Sequence, residues 1–280
     1  MNRVLVTGGA SGLGAALTEA FRARGDRVLV ADLSIPLVEE AGGRGRLEAS
    51  SDGFETLAGA RSSTNEGAIH LDVRSADDWN AARAWVEEHW GGLDILVNNA
   101  GVAGGGRVDV ADLDEWQWIT EINLFGVVRG VRTFTPVFKQ QRSGTIVNIA
   151  SLAGLVHPAG MGSYNAVKAA VVAFTETIGH ELASYGVSAH AVCPSYFRTN
   201  LIASLQGRDE AVGAVVGRLV ETSPISAEQI AAAVLEGMDA GTELILPDEA
   251  ARAAYGLKVG DRASYDAMMR AQAAKLEGHA

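Results

Sequence analysis

The chain opens with a strand, a glycine turn and a helix in immediate succession, and that succession limits the folds open to it. Arg3-Val4-Leu5-Val6 is a short apolar run of strand type, leading directly into Thr7-Gly8-Gly9-Ala10-Ser11-Gly12-Leu13-Gly14. The following segment, Ala15 to Phe21, repeats apolar residues at helical spacing. Glycines let backbone N–H groups approach a pyrophosphate, and a helix N-terminus adds favourable partial charge for the anion. Gly8, Ser11, Gly12, Leu13 and Gly14 are therefore the candidate cradle for a dinucleotide. The spacing is Gly-x-x-x-Gly-x-Gly, which differs from the commoner Gly-x-Gly-x-x-Gly fingerprint.

A second apolar run, Arg27 to Ala31, ends in Asp32. An acidic residue at the end of the second strand, about 20 residues past the glycines, binds ribose hydroxyls and repels a 2′-phosphate. Leu33 and Ser34 follow it, and the glycine loop holds no Lys or Arg, so NAD is favoured over NADP. The alternative reading is an Asp that caps the next helix.

Further strands and helices alternate along the chain, which predicts a doubly wound parallel sheet of about seven strands, covered on both faces. Ala68–Leu71, Leu93–Val97, Thr145–Ile149 and Val187–Cys193 read as the third to sixth strands, with the seventh expected before the tail that follows Thr242–Pro247. Helices are predicted over 77–90, 113–140 and 163–184. In the first, the stripe Trp79, Ala82, Trp85, Val86, Trp90 has the helix period and reads as core packing. Asn123 falls inside the second, where a buried Asn has to find hydrogen-bond partners.

Tyr164 and Lys168 are four apart in the third helix and so share one face. A free tyrosine has a pKa of about 10, and a neighbouring Lys⁺ lowers it toward the working range. Ser151, delivered at the C-terminal end of the fifth strand, supplies a hydroxyl to hold a substrate oxygen. Tyr-x-x-x-Lys alone is a weak signal; its place after the nucleotide-binding segments gives it weight.

Taken in order, these motifs resemble the short-chain dehydrogenase/reductase family, in its single-domain NAD-dependent branch. The resemblance runs from Thr7 to Thr199, through Asp72, Asn98-Asn99-Ala100-Gly101, Asn123, Ser151, Tyr164, Lys168 and Pro194. It implies that Tyr164 is the catalytic acid/base, that Lys168 lowers its pKa and bonds the nicotinamide ribose, and that Ser151 orients the substrate oxygen. Asn123 would hold a water in a proton relay. Asp72 and Val73 would approach the adenine, and Asn98, Ala100 and Gly101 would line the cofactor. Pro194 would adjoin the nicotinamide, with Phe197 and Thr199 holding its carboxamide. The implied reaction interconverts a secondary alcohol and a ketone, in a homo-oligomer (dimer or tetramer).

Composition agrees. At 280 residues and 48% hydrophobic content, the chain supports one α/β domain. The expected organisation is an NAD-binding and catalytic domain over 1–246, with a substrate lid at about 195–222, and a C-terminal extension of it over 247–280. A net charge of −11 disfavours nucleic acid and acidic membrane surfaces. No run approaches about 18 apolar residues, and the first strand begins at Arg3, leaving no room for a signal peptide. A lone Cys193 fits a reducing compartment, and the expected location is cytoplasmic. No metal site is expected.

Three segments depart from the family pattern. The stretch from Gly42 to Asn65 is long and rich in Gly, Ser and Arg, which suggests a surface loop; Arg44 and Arg46 are the candidates there to reach a phosphate. Ser195 stands where the family usually has glycine. The C-terminal extension includes a possible amphipathic helix over 266–276, packing on the substrate side or on a partner subunit. For the substrate, the expected lining is Leu152, Leu155, Val156, His157, Met161, Tyr196, Phe197, Leu201 and Ile202, with His157 able to bond a polar substituent or to serve as a wall. This suits an apolar or aromatic alcohol or ketone. Two other readings remain: a nucleotide-sensing binding protein without catalysis, and a sugar-nucleotide epimerase or dehydratase. The intact Ser, Tyr, Lys and Asn set speaks against the first. The glycine spacing and the short C-terminal region speak against the second.

Overall fold

The computed structural model describes residues 1–36, 67–199, 204 and 206–278. Arg44, Arg46, Leu201 and Ile202 lie outside these. Seven parallel strands form one sheet: β1 (Arg3–Thr7), β2 (Arg27–Asp32), β3 (Gly67–His70), β4 (Ile95–Asn98), β5 (Gly144–Ile149), β6 (Val187–Val192) and β7 (Leu244–Ile245). Their order is β3-β2-β1-β4-β5-β6-β7, so chain direction across the sheet reverses between β1 and β4. Ligands of open α/β sheets bind at that switch point, beyond the C-terminal strand ends.

Strand residues alternate between the two faces. Val4, Val6, Val28 and Val30 pack under α1 (Gly12–Ala23) and α8 (Ala227–Asp239), through Leu17, Phe21, Ile230 and Val234. Leu5, Leu29 and Leu96 pack under α2 (Ala76–Trp90), α4 (Gly126–Gln141) and α6 (Gly162–Leu182), through Trp79, Phe134 and Val171. Trp79, Trp85 and Trp90 are core residues, as their spacing predicts.

The helix predicted over 113–140 is interrupted. It comprises α3 (Leu113–Thr120), a π-helical segment at Glu121–Phe125, and then α4. Asn123 is the buried residue of the π segment. Its Oδ1 accepts from Val102 N at 2.8 Å, and its Nδ2 donates to Val102 O at 2.9 Å. Such bulges frequently occur at functional sites.

The remaining helices are α5 (Ala153–Val156), α7 (Glu210–Glu221), α9 (Glu249–Gly260) and α10 (Arg262–Leu276). The last two form the C-terminal extension, and α9 is an element the hydrophobic pattern does not announce. Among the described residues, no helix is long and apolar enough to cross a membrane, and no cluster of His, Cys, Asp or Glu could hold a metal ion.

Candidate active site

A cavity of about 770 Å³ lies over the C-terminal ends of the strands. One end is the glycine turn. Gly8 takes φ +62°, and a Cβ on Gly14 would fall 2.0 Å from Gly8 O, so only glycine lets α1 approach the loop this closely. Ser11 caps α1 without a side-chain hydrogen bond, and the first turn carries no acidic residue. By contrast, α2 and α8 are capped by Ser75 and Ser226 and carry acids in their first turns. The start of α1 thus keeps donors and partial positive charge for an external anion. These features fit a dinucleotide pyrophosphate.

Of the residues expected to bind the cofactor, Gly8, Ser11, Gly12, Leu13, Asp32, Asp72, Val73, Ala100 and Gly101 line this end. The Asp32 carboxylate accepts from Ala10 N at 3.0 Å and from Ser34 N at 2.9 Å, which fixes it at the rim of the turn. Arg74 also lines the wall and is paired with Asp72 at 2.6 Å. The Arg74 guanidinium holds the Asp72 carboxyl below its usual range.

Asn98 does not reach the cavity. Its Nδ2 donates to Asn148 Oδ1 at 2.8 Å, and Asn148 Nδ2 donates to Thr175 at 2.9 Å, under the sheet end. Its neighbour Asn99 lines the wall instead and bonds Thr7 O at 2.9 Å. Asn123 and Gly14 are also behind the wall: the first clamps Val102, the second packs on Gly8.

Ser151, Tyr164 and Lys168 converge at the centre of the cavity. Ser151 follows β5, and α6 presents Tyr164 and Lys168 one turn apart on its buried face. Burial pushes the Tyr164 phenol up to about 12, and its hydrogen bond with Ser151 offsets only part of that. Lys168 Nζ donates to Ile149 O at 2.9 Å and lies 5.7 Å from the Tyr164 ring centre. Burial pushes its ammonium down to about 8. This corrects the expectation of a phenol lowered by its lysine: desolvation dominates, because both groups are buried and the ammonium faces a carbonyl. At neutral pH Tyr164 is a proton donor beside a charged Lys168.

Pro194, Phe197 and Thr199 line the wall beyond β6, and Ser195 N donates to the buried Asp248 at 2.9 Å. Cys193, buried behind them, has its thiol pushed up to about 12 by burial and is inert.

Leu152, Val156, Met161 and Tyr196 line the outer end, as predicted. His157 and Leu155 do not. His157 sits at φ +55°, its ring held between Gly154 O (3.1 Å) and Lys258 Nζ (2.8 Å), and so faces the C-terminal extension. Sequence reasoning missed Trp118, Ser204 and Gln206, along with Tyr265, Met268, Met269 and Gln272 of α10. The last four had a legible signal, since their positions i, i+3, i+4 and i+7 define one helix face.

The profile of the short chain dehydrogenase family matches residues 2–210. The chain is 35% identical over 246 residues to the 2-(R)-hydroxypropyl-CoM dehydrogenase of Xanthobacter autotrophicus, covering 86% of this chain and 93% of that one. It is 36% identical over 223 residues to the trans-4-hydroxycyclohexanecarboxylate dehydrogenase of Sinomonas cyclohexanicum, covering 79% and 82%. A short chain dehydrogenase/reductase from Burkholderia phymatum, solved in complex with NAD, superposes with a TM-score of 0.79 at 28% identity, covering 93% and 94%. The chain belongs to the short-chain dehydrogenase/reductase family, and it is an oxidoreductase acting on CH–OH groups.

Proposed function

We propose that this protein interconverts a secondary alcohol and a ketone with NAD as its cofactor, using Tyr164 as the acid/base. The observation that carries the reading is the convergence of Ser151, Tyr164 and Lys168 in one cavity with the glycine turn and Asp32. A nicotinamide dinucleotide bound there supplies the hydride acceptor or donor at the substrate carbon.

In the reduction direction, Ser151 donates a hydrogen bond to the carbonyl oxygen and holds it beside the Tyr164 hydroxyl. Tyr164 delivers its proton to that oxygen, and Lys168⁺ stabilises the phenolate left behind. Oxidation reverses the proton's path. Asn123 shapes the site through Val102, and by family resemblance it helps hold a water of the proton relay to solvent. Phe197, Thr199 and Pro194 flank the nicotinamide side, while Asp72 and Val73 flank the adenine side.

NAD is favoured over NADP because the Asp32 carboxylate would face a 2′-phosphate; the 28%-identical relative solved with NAD agrees. Residues 1–246 act as the catalytic domain and 247–280 as its extension. By family resemblance the enzyme is a homo-oligomer, and its lone cysteine fits a reducing, cytoplasmic location. NADH formation across a panel of secondary alcohols tests the reading: turnover with NAD⁺ supports it, and silence across the panel with NADH still bound tightly overturns it in favour of a sensor.

A further inference from the structure

The outer end of the cavity is closed by α10. Tyr265, Met268, Met269 and Gln272 face the cavity, and Leu276 on the same stripe packs into the cluster containing Val212 and Met161. The helix is anchored at both ends. Near its start, the Tyr265 hydroxyl donates to Val156 O. Near its end, Arg107 bonds Leu276 O at 3.3 Å. The roof of the substrate space is thus a fixed part of the wall.

The distribution of charge around this space is informative. Among the described residues, the charged side chains lining the cavity are Asp32, Asp72, Arg74 and Lys168. The first three belong to the glycine-turn end, and Lys168 is committed to the catalytic centre. The nearby cations of the outer end are turned away. Arg107 is paired with Asp209 at 2.8 Å and Glu277 at 3.3 Å, and Lys258 donates to Leu155 O and His157. A carboxylate drawn into this apolar space would lose hydration with no counter-charge among the described lining residues to replace it. One polar group does face inward from α10: the Gln272 carboxamide, which has no hydrogen-bond partner among the described residues.

We infer that α10 selects the distal part of the substrate, and that the substrate is an uncharged, largely apolar secondary alcohol or ketone whose far end carries a neutral hydrogen-bonding group that meets Gln272. This rests on the oxidoreductase reading above and adds the substrate's charge and the residue that reads it. It also separates this chain from the relative named for a cyclohexanecarboxylate.

The test uses secondary alcohols of graded length, each made with a methyl ester, a free carboxylate or an alkyl group at the far end. Binding to the NADH-loaded enzyme is measured by calorimetry, and kcat/KM by NADH formation. At the length that reaches α10, the ester binds and turns over at least about tenfold better than the carboxylate, as expected for a charge placed without a partner. Gln272→Leu reduces the ester-to-alkyl ratio about tenfold, mainly through KM, and Gln272→Arg shifts the preference toward the carboxylate. A wild-type enzyme that takes carboxylate and ester equally, or an order unmoved by Gln272→Arg, overturns the inference while leaving the oxidoreductase reading intact. The predicted binding order without NADH from any member upholds the assignment of Gln272 and instead overturns the oxidoreductase reading.

Discussion

Ser195 N donates to Asp248 Oδ2 at 2.9 Å, joining the loop after β6 to the first residue of the C-terminal hairpin. The other oxygen of the same buried carboxylate accepts from Ala251 N at 2.8 Å and caps α9. One side chain thus sets both the backbone path beside Pro194 and the start of the hairpin whose second helix roofs the substrate space. Ser195 is not among the described residues with positive φ, so its backbone tolerates a side chain there.

Asp248→Ala removes a helix cap and a charge-assisted bond together, and the expected loss of stability is about 2–3 kcal/mol. KM for NAD⁺ rises in the same variant. Urea unfolding and cofactor titration check the pair; lowered stability with an unchanged KM would confine Asp248 to capping.

Lys168 is stabilised less in the fold than in the unfolded chain, since burial moves its pKa from 10.5 to about 8. A lysine depressed on folding makes the folded state less stable below the folded pKa, and stability recovers as pH rises from about 8 toward 10.5. Lys168→Met therefore abolishes turnover yet gains about 2 kcal/mol at pH 7, after the lost bond to Ile149 O is set against the relief of burial. Thermal unfolding that falls in this variant contradicts the account.

The two reaction directions differ in pH dependence. Tyr164, held at about 12, starts protonated at neutral pH, so alcohol oxidation accelerates as pH rises. Reduction stays level below about pH 8 and declines above it, as Lys168 loses the charge that stabilises the phenolate. Profiles of kcat/KM in both directions test this, with Lys168→Arg moving the decline to higher pH. A reduction profile flat to pH 10 contradicts it.

Asp32→Ala narrows the preference for NAD over NADP by about tenfold or more, because a like charge facing a phosphate costs at least that much. The ratio of kcat/KM for the two cofactors measures it. An unchanged ratio assigns Asp32 to holding Ala10 and Ser34.

The sheet and the grouping of Tyr164 with Lys168 were legible because their signals are local. Buried parallel strands are continuous apolar runs, and Tyr164 and Lys168 are four residues apart on one helix. What escaped depends on tertiary context. Apolar periodicity continues smoothly through Asn123, so neither the π segment nor the bonds of Asn123 to the distant Val102 left a mark. Asn98 and Asn99 are adjacent, and only the strand's alternation decides which one faces the cavity. The lowered phenol expected at Tyr164 failed because sequence spacing carries no information on burial. The sequence suggested a helix over 266–276; its inward face, and Lys258 drawing His157 away from the substrate, required the folded chain.

The most direct measurement compares NADH formation by wild type and Tyr164→Phe on a secondary alcohol that the wild type oxidises, with NADH affinity measured in both. Turnover in the variant falls to background, with cofactor affinity within about twofold of wild type, because the lost hydroxyl serves proton transfer more than binding. Comparable turnover in the two proteins would contradict the assignment of Tyr164 as the acid/base.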